Sequence, residues 1–250
     1  MTDSTASTWD WLLFGILPYI GIAVFVVGLV WRYRFDKYGW GSRSSELYEK
    51  KWLIIGAMMF HYGALLAIAG HVLGILIPES WTEFFGINES LYASVSKYAG
   101  GFAVVLCVAG LAILTARRLH NPRVRSATTW TDLMTFIILW IMILLGMAET
   151  VGYNIFGPGY NYRPTVGEWF RSLFYLQPDP SLMVGAPTIY QVHVTIAWLF
   201  FALFPWGRLV HAFSAPVFYL TRPYIVYRSR AAAHIPNPGT SRRWQTIGRD

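Results

Sequence analysis

Four histidines stand inside apolar stretches of this chain, and they are the residues whose type and spacing first indicate chemistry. His61 and His71 belong to the run FHYGALLAIAGHVLGILI, while His193 and His211 belong to a second apolar run closer to the C-terminus. Imidazoles are costly among lipid tails, so histidines within a membrane span indicate a functional site by default. Two on one helix call for a partner helix with two more, and this chain has one.

The composition indicates an integral membrane protein. Of 250 residues, 55% are hydrophobic and only 13% are charged, whereas a soluble domain carries about 25% charged residues. The net charge of +7 does not indicate nucleic acid, because the basic residues form short blocks between apolar runs. The single cysteine excludes a disulfide framework. The predicted fold is an all-α bundle of five transmembrane helices, at about 11–31, 52–77, 98–116, 133–151 and 188–213.

The basic blocks predict how the bundle is oriented. Because successive spans alternate in direction, 16 of the 20 Lys and Arg residues fall on one side of the membrane. The positive-inside rule then places the N-terminus outside and the C-terminus in the cytoplasm. The predicted location of the protein is the inner (cytoplasmic) membrane of the cell. The N-terminal run follows an acidic segment with no small-residue cleavage site, so we expect a retained span. Residues 1–230 are predicted to form the transmembrane domain and residues 231–250 a cytoplasmic tail.

The directions of the two histidine-bearing spans predict which histidines meet. The second span runs from inside to outside and the fifth runs back, so His61 pairs with His211 near the cytoplasm and His71 with His193 near the exterior. The rises along ideal helices disagree, however. Positions 61 and 71 are separated by ~15 Å and positions 193 and 211 by ~27 Å. Helix tilt and a break at Pro205 would absorb part of the difference.

Two neutral imidazoles facing each other at one depth suit haem b, whose iron takes an axial ligand on each face and then serves electron transfer. Packing or proton-path histidines without a metal are an alternative. Zinc would need ligands that converge on one point. Gly63, Gly70 and Gly74 would admit a flat macrocycle, or would serve ordinary helix packing. His120 and His234 lie in basic segments and are predicted to be solvated.

Several stretches of the chain resemble the gamma subunit of membrane-bound respiratory nitrate reductase, a di-haem cytochrome b. The resemblance extends over about residues 18–228, and its most specific motifs are FHYGALLAIAGHVLGILIP, YAGG, RRLHNPRVRSATT and LFPWGRLVH. It implies two haems b, an outer one held by His71 and His193 and an inner one held by His61 and His211. It also implies a quinol pocket beside Gly70 and His71.

The resemblance further implies the reaction and the partners. Quinol, with menaquinol as the expected species, would be oxidised near the outer face. Electrons would pass through both haems to a cytoplasmic iron–sulfur subunit and a molybdenum subunit that reduces nitrate in anaerobic respiration. The family carries a lysine in the outer segment after the second span, whereas this chain has Tyr92 there and Lys97 as the segment's only lysine. Tyr92 and Lys97 are therefore the candidate quinol contacts, and Glu149 is a candidate proton acceptor or an interfacial carboxylate.

Two other functions are compatible with the sequence. One is a di-haem, quinol-oxidising subunit of another cytoplasmic reductase, of the heterodisulfide or sulfite type, because the terminal substrate is chosen by a different chain. The other is a transporter or scaffold without a cofactor. The subunits that accompany the chain would discriminate the first, and the colour of the purified protein would discriminate the second.

Overall fold

The computed structural model describes residues 6–36, 39–40 and 45–214. It confirms the predicted all-α fold, since these residues contain no strand and five helices long and apolar enough to cross a membrane. The five are α1 (Thr8–Phe35), α2 (Lys51–Leu76), α3 (Glu89–His120), α4 (Trp130–Ile155) and α5 (Thr188–Trp206). The predicted tail 231–250, together with the basic residues Lys37, Arg43 and those after Ser214, lies outside the described residues.

The helices extend beyond their apolar runs, because polar residues continue the helix outside the membrane. The clearest case is α3, which begins nine residues before its predicted start. The Asn88 side chain accepts a hydrogen bond from the backbone N–H of Leu91 and so caps the first turn. At the other end of the bundle α4 begins with a capping box formed by Thr129 and Asp132.

The closest helix contact joins α2 and α3 through small residues. A Cβ added to Gly110 would meet the backbone nitrogen of Phe60, and one added to Gly63 would lie 2.7 Å from the backbone nitrogen of Cys107. These glycines let the two backbones approach without intervening side chains. Gly63 therefore serves helix packing, so the macrocycle interpretation of this residue is wrong.

A second pair is formed by α1 and α5, and α4 contacts both α3 and α5. A Cβ on Gly21 would lie 3.1 Å from the carbonyl oxygen of Trp198, and one on Gly28 would lie 2.6 Å from Pro205. The bundle thus consists of two close pairs with α4 between them. The histidine-bearing helices α2 and α5 belong to different pairs.

The connection from α4 to α5 is a packed cap, defined here as residues 156–187. It contains a π-helical turn and two short helices, with the bounds Arg163–Gly167, Glu168–Phe174 and Ser181–Val184. Trp169 and Met183 are fully buried, and the indole Nε1–H of Trp169 donates to the carbonyl oxygen of Phe14 over 2.8 Å. The remaining short helices are Glu79–Phe84 and Pro122–Ser126.

The fifth span ends earlier than predicted. Regular α-helix stops at Leu203, and two 3₁₀ segments follow, Phe204–Trp206 and Arg208–Ser214. Pro205 has no N–H for the helix ladder, and Gly207 adopts an extended conformation (φ −97°, ψ −171°). His211 consequently lies on a segment that turns away from the helix axis. The ~27 Å rise expected from a continuous helix is therefore wrong.

Candidate functional site

Two pairs of imidazoles connect the histidine-bearing segments. The ring centroids of His61 and His211 are 6.0 Å apart with an interplanar angle of 69°. Those of His71 and His193 are 6.3 Å apart with an angle of 62°. The structure thus brings together the same partners that the span directions predict, one pair toward each end of the bundle.

Hydrogen bonds fix the orientation of three of the four rings. Nδ1 of His61 lies 2.7 Å from the carbonyl oxygen of Ala57, and Nδ1 of His71 lies 2.7 Å from that of Ala67. Nδ1 of His211 lies equally close to the carbonyl oxygen of Arg208. A carbonyl only accepts, so Nδ1 of each ring carries a proton. Nε2 is therefore the atom of each ring that could bind a metal.

The geometry of both pairs fits a haem iron. A metal–imidazole bond of ~2 Å on each side, together with the half-widths of two rings, separates the ring centroids by ~6 Å. Each pair supplies only two ligands, and no group of three or more His, Cys, Asp or Glu residues that could hold a metal occurs in the described part of the chain. Two axial ligands suffice for haem iron because the macrocycle supplies the others. A tetrahedral zinc site would need more.

An ion-pair network positions His211 at the end of the bundle where the basic blocks lie. The Nε of Arg208, three residues before His211, lies 2.9 Å from Oδ1 of Asp132, and Nη1 of Arg118 lies 3.5 Å from Oδ2. All three side chains are less than one-quarter exposed. Arg32 also donates to the carbonyl oxygen of Pro205. The broken end of α5 is thereby tied to α1, α3 and α4.

A second buried arginine anchors the loop that leads into α2. Arg117 donates through Nε to the Glu49 carboxylate over 2.7 Å, and its other nitrogens bond Ser45 and the carbonyl of Glu49. Desolvation acts to raise the pKa of Glu49, but hydrogen bonds from the backbone of Trp52, from Arg117 and from the backbone of Leu53 outweigh it and lower that pKa. Glu49 is therefore ionised at neutral pH. Arg117 and the two arginines that contact Asp132 therefore all have partners within the chain.

The ring of His193 has a different kind of partner. Its Nδ1 lies 3.0 Å from Oε2 of Glu149, and these two side chains are only 12% and 14% exposed. Glu149 stands at the start of a π-helical stretch, Ala148–Ile155, and a second π-helical stretch, Val72–Leu76, begins directly after His71. π-Helical turns are rare and frequently accompany functional sites. The sequence identified Glu149 as a candidate but contained no signal for its contact with His193.

Tyr92 participates in a contact between α3 and the cap. Its hydroxyl lies 3.0 Å from that of Tyr162, and the guanidinium of Arg163 stacks on its ring at 4.0 Å from the ring centre. Gly74, one turn beyond His71, faces both hydroxyls, and a side chain there would collide with them. Gly74 is thus required by the tyrosine pair rather than by a macrocycle. Tyr162 and Arg163 were not predicted as site residues, because nothing in the cap sequence indicates how the cap packs against α3.

Gly70 and Lys97 lie in different surroundings. A Cβ added to Gly70 would meet no atom within 4 Å, so the surface beside His71 is open to a flat ligand. The ammonium of Lys97 is near the turn at Gly159, 4.0 Å from where a Cβ would stand. A surface cavity of about 420 Å³ at the cap end is lined by neither of these residues nor by Tyr92.

Comparison with known proteins agrees with this architecture. A family described as "Nitrate reductase gamma subunit" matches residues 10–230. A nitrate reductase gamma chain of Bacillus subtilis is 44% identical over 88% of this chain and 98% of its own length. A respiratory nitrate reductase 1 gamma chain of Escherichia coli is 34% identical over 87% of this chain and 96% of its own length. A nitrate reductase-like protein of Mycobacterium tuberculosis is 45% identical over 91% of this chain, which spans only 35% of that relative's length.

Proposed function

The chain belongs to the nitrate reductase gamma subunit family and is a membrane subunit, and from this premise we propose that it oxidises quinol as the di-haem cytochrome b of a respiratory nitrate reductase. The observation that carries the proposal is the pair of imidazole pairs, with ring centroids 6.0 and 6.3 Å apart. The family membership of residues 10–230 supports the assignment to nitrate reduction.

In this proposal each imidazole pair holds one haem b, with His61 and His211 at one site and His71 and His193 at the other. Bound haem supplies one-electron transfer between quinol and the partner subunit. The protein's contribution would be to present Nε2 of each ring to the iron. The carbonyl oxygens of Ala57, Ala67 and Arg208 do this by accepting the Nδ1 protons of three rings.

The proposed orientation puts the N-terminus outside and the basic end of the bundle in the cytoplasm. The His61–His211 pair is then the inner site, near a cytoplasmic iron–sulfur subunit and a molybdenum subunit that reduces nitrate. The His71–His193 pair is the outer site, below the cap. Charge separation across the membrane follows from this arrangement, and one charge moved across 100 mV is worth about 2.3 kcal/mol.

We place the quinol, with menaquinol as the expected species, beside Gly70 and His71. The open surface at Gly70 supports this placement. The hydroxyl of Tyr92 points to Tyr162 above Gly74, so its role is to shape the mouth of the pocket between α3 and the cap. Lys97 is the cationic candidate at the same end.

The haem assignment is tested by spectroscopy on the purified complex. We expect low-spin b-type absorption and EPR signals, two haems per chain and two distinct midpoints. The variants His71→Gln and His193→Gln should each lose the outer haem and quinol oxidation, while the inner haem remains. His120→Gln is the matched control. Its Nδ1 bonds a backbone carbonyl as those of His61 and His71 do, but among the described residues its ring faces no second imidazole. A haem-to-chain ratio near one, or quinol oxidation that survives His193→Gln, would refute the proposal.

The identity of the reductase is tested separately. The chain should co-purify with molybdenum and iron–sulfur subunits, and the complex should reduce nitrate with a quinol donor. A di-haem chain that co-purifies with a heterodisulfide or sulfite reductase and shows no nitrate activity would establish the other reductase as the partner.

A further inference from the structure

We propose that Glu149 is a positioning residue that holds His193 through Nδ1 and lowers the midpoint potential of the outer haem. The inference rests on the proposed haem sites and adds an asymmetry between them. Three of the imidazoles meet a neutral backbone carbonyl at Nδ1. Only His193, among the four, meets a carboxylate there.

The contact between the two side chains is buried. Nδ1 of His193 lies 3.0 Å from Oε2 of Glu149, although the angles depart from those of a hydrogen bond. Neither that Nδ1 nor the second oxygen, Oε1, has a hydrogen-bond partner among the described residues. A buried donor or acceptor left without a partner destabilises the folded protein. A small turn of the imidazole that aligns N–H with the carboxylate is therefore favoured.

The π-helical stretch explains why Glu149 reaches this position. The helix widens at Ala148–Ile155, directly after Met147, and the wider turn changes the direction of the side chains that follow it. Gly146 is also close to the ring, since a Cβ there would lie 3.4 Å from Cε1 of His193. The end of α4 thus contacts His193 through a glycine and a carboxylate.

The direction in which this contact shifts the midpoint potential of the outer haem follows from its chemistry. A carboxylate that accepts Nδ1–H forms a charge-assisted hydrogen bond and increases the basicity of Nε2. A more basic ligand, together with a nearby buried negative charge, stabilises the oxidised and more positive iron. An outer haem held here would therefore be harder to reduce than one whose ligand had a carbonyl partner.

The test is a redox titration of Glu149→Gln in the whole complex, followed by absorption and EPR. The amide keeps an acceptor oxygen but removes the charge, so both haems should be retained. Loss of the charge should change the oxidised-to-reduced ratio of the outer haem about tenfold at a given potential. For a one-electron couple this is a rise of about 59 mV in the outer midpoint, and the inner midpoint should not change.

Two further variants complete the experiment. Glu149→Leu removes the acceptor and should reduce the content of outer haem below that of Glu149→Gln. Glu83→Gln is the matched control, because it removes one carboxylate from an exposed position near the same end of the bundle and should change neither midpoint. An outer midpoint in Glu149→Gln that equals the wild-type value would overturn the inference. Wild-type protein without haem would instead refute the proposed function.

Discussion

The ion pair between Asp132 and Arg208 gives a sharp prediction for Asp132→Asn. The substitution should loosen the segment that carries His211 and weaken binding of the inner haem, because Arg208 loses the charge of its partner at 2.9 Å. Asparagine keeps an oxygen that can accept the backbone N–H of Thr129, so the start of α4 should survive.

The magnitude follows from the burial of the pair. The side chains of Arg208 and Asp132 are 23% and 13% exposed, so solvent screens the interaction only partly. A hydrogen bond to a charged group contributes about 1.5–3 kcal/mol, and the lower value applies because asparagine remains an acceptor. Each 1.4 kcal/mol is a tenfold change in affinity. We therefore expect haem affinity at the inner site to fall about tenfold.

The assay is transfer of haem from the detergent-solubilised complex to an excess of apomyoglobin, followed separately for the two haems by their spectra. The inner haem should leave faster in Asp132→Asn, and the outer haem should leave at the wild-type rate. Asp179→Asn is the matched control. The Asp179 carboxylate also accepts a backbone N–H, that of Ser181, but it makes no ion pair among the described residues. Equal retention of the inner haem in the variant and the wild type would refute the argument. Equal loss of both haems would also refute it, since the effect would then be general unfolding.

Two further predictions concern the helix contacts around the sites. Gly110→Ala should lower the melting temperature and the content of inner haem, because the added methyl meets the backbone of Phe60 beside His61, and overpacking costs about 1–3 kcal/mol. The control Gly185→Ala has open space and should change neither; an unaltered Gly110→Ala protein would contradict the packing argument. Tyr162→Phe should raise the KM for quinol without loss of either haem, measured by quinol-dependent turnover and spectra, because only the hydroxyl contact above Gly74 is removed. Loss of the outer haem would show instead that this contact holds the site itself.

The number of helices could be predicted because apolar runs of about 20 residues have few alternatives to spanning a membrane. The partners of the histidines could be ordered because alternating directions leave only one ordering by depth. Helix ends were less accurate, since the apolar run marks the membrane and not the helix. The polar residues before Tyr98 continue α3, and the Asn88 cap sets its beginning.

The side-chain contacts that hold the site in place could not be predicted from the sequence, for a different reason. The contacts of Arg208 with Asp132 and of Tyr92 with Tyr162 join residues 70 or more positions apart. Their geometry depends on where α5 breaks and on how the cap packs, and neither follows from periodicity. The fourth span was predicted from residue 133, whereas the capping box of Thr129 and Asp132 starts α4 at Trp130. Nothing in the sequence indicates that the same carboxylate also binds an arginine near His211.

The break after Leu203 is what allows one chain to make both sites. The depths are set by α2, because His61 and His71 lie ten residues, or ~15 Å, apart on a single helix. From His193, ten residues along α5 lead to Leu203, at which regular helix ends. A straight helix would carry His211 ~12 Å beyond the depth of His61, whereas the 3₁₀ segment brings the two rings to 6.0 Å. The inner pair therefore depends on the contacts that hold a 3₁₀ segment outside the regular α-helix, whereas both histidines of the outer pair lie within α-helix. Weakening the contacts at the basic end should consequently release the inner haem first.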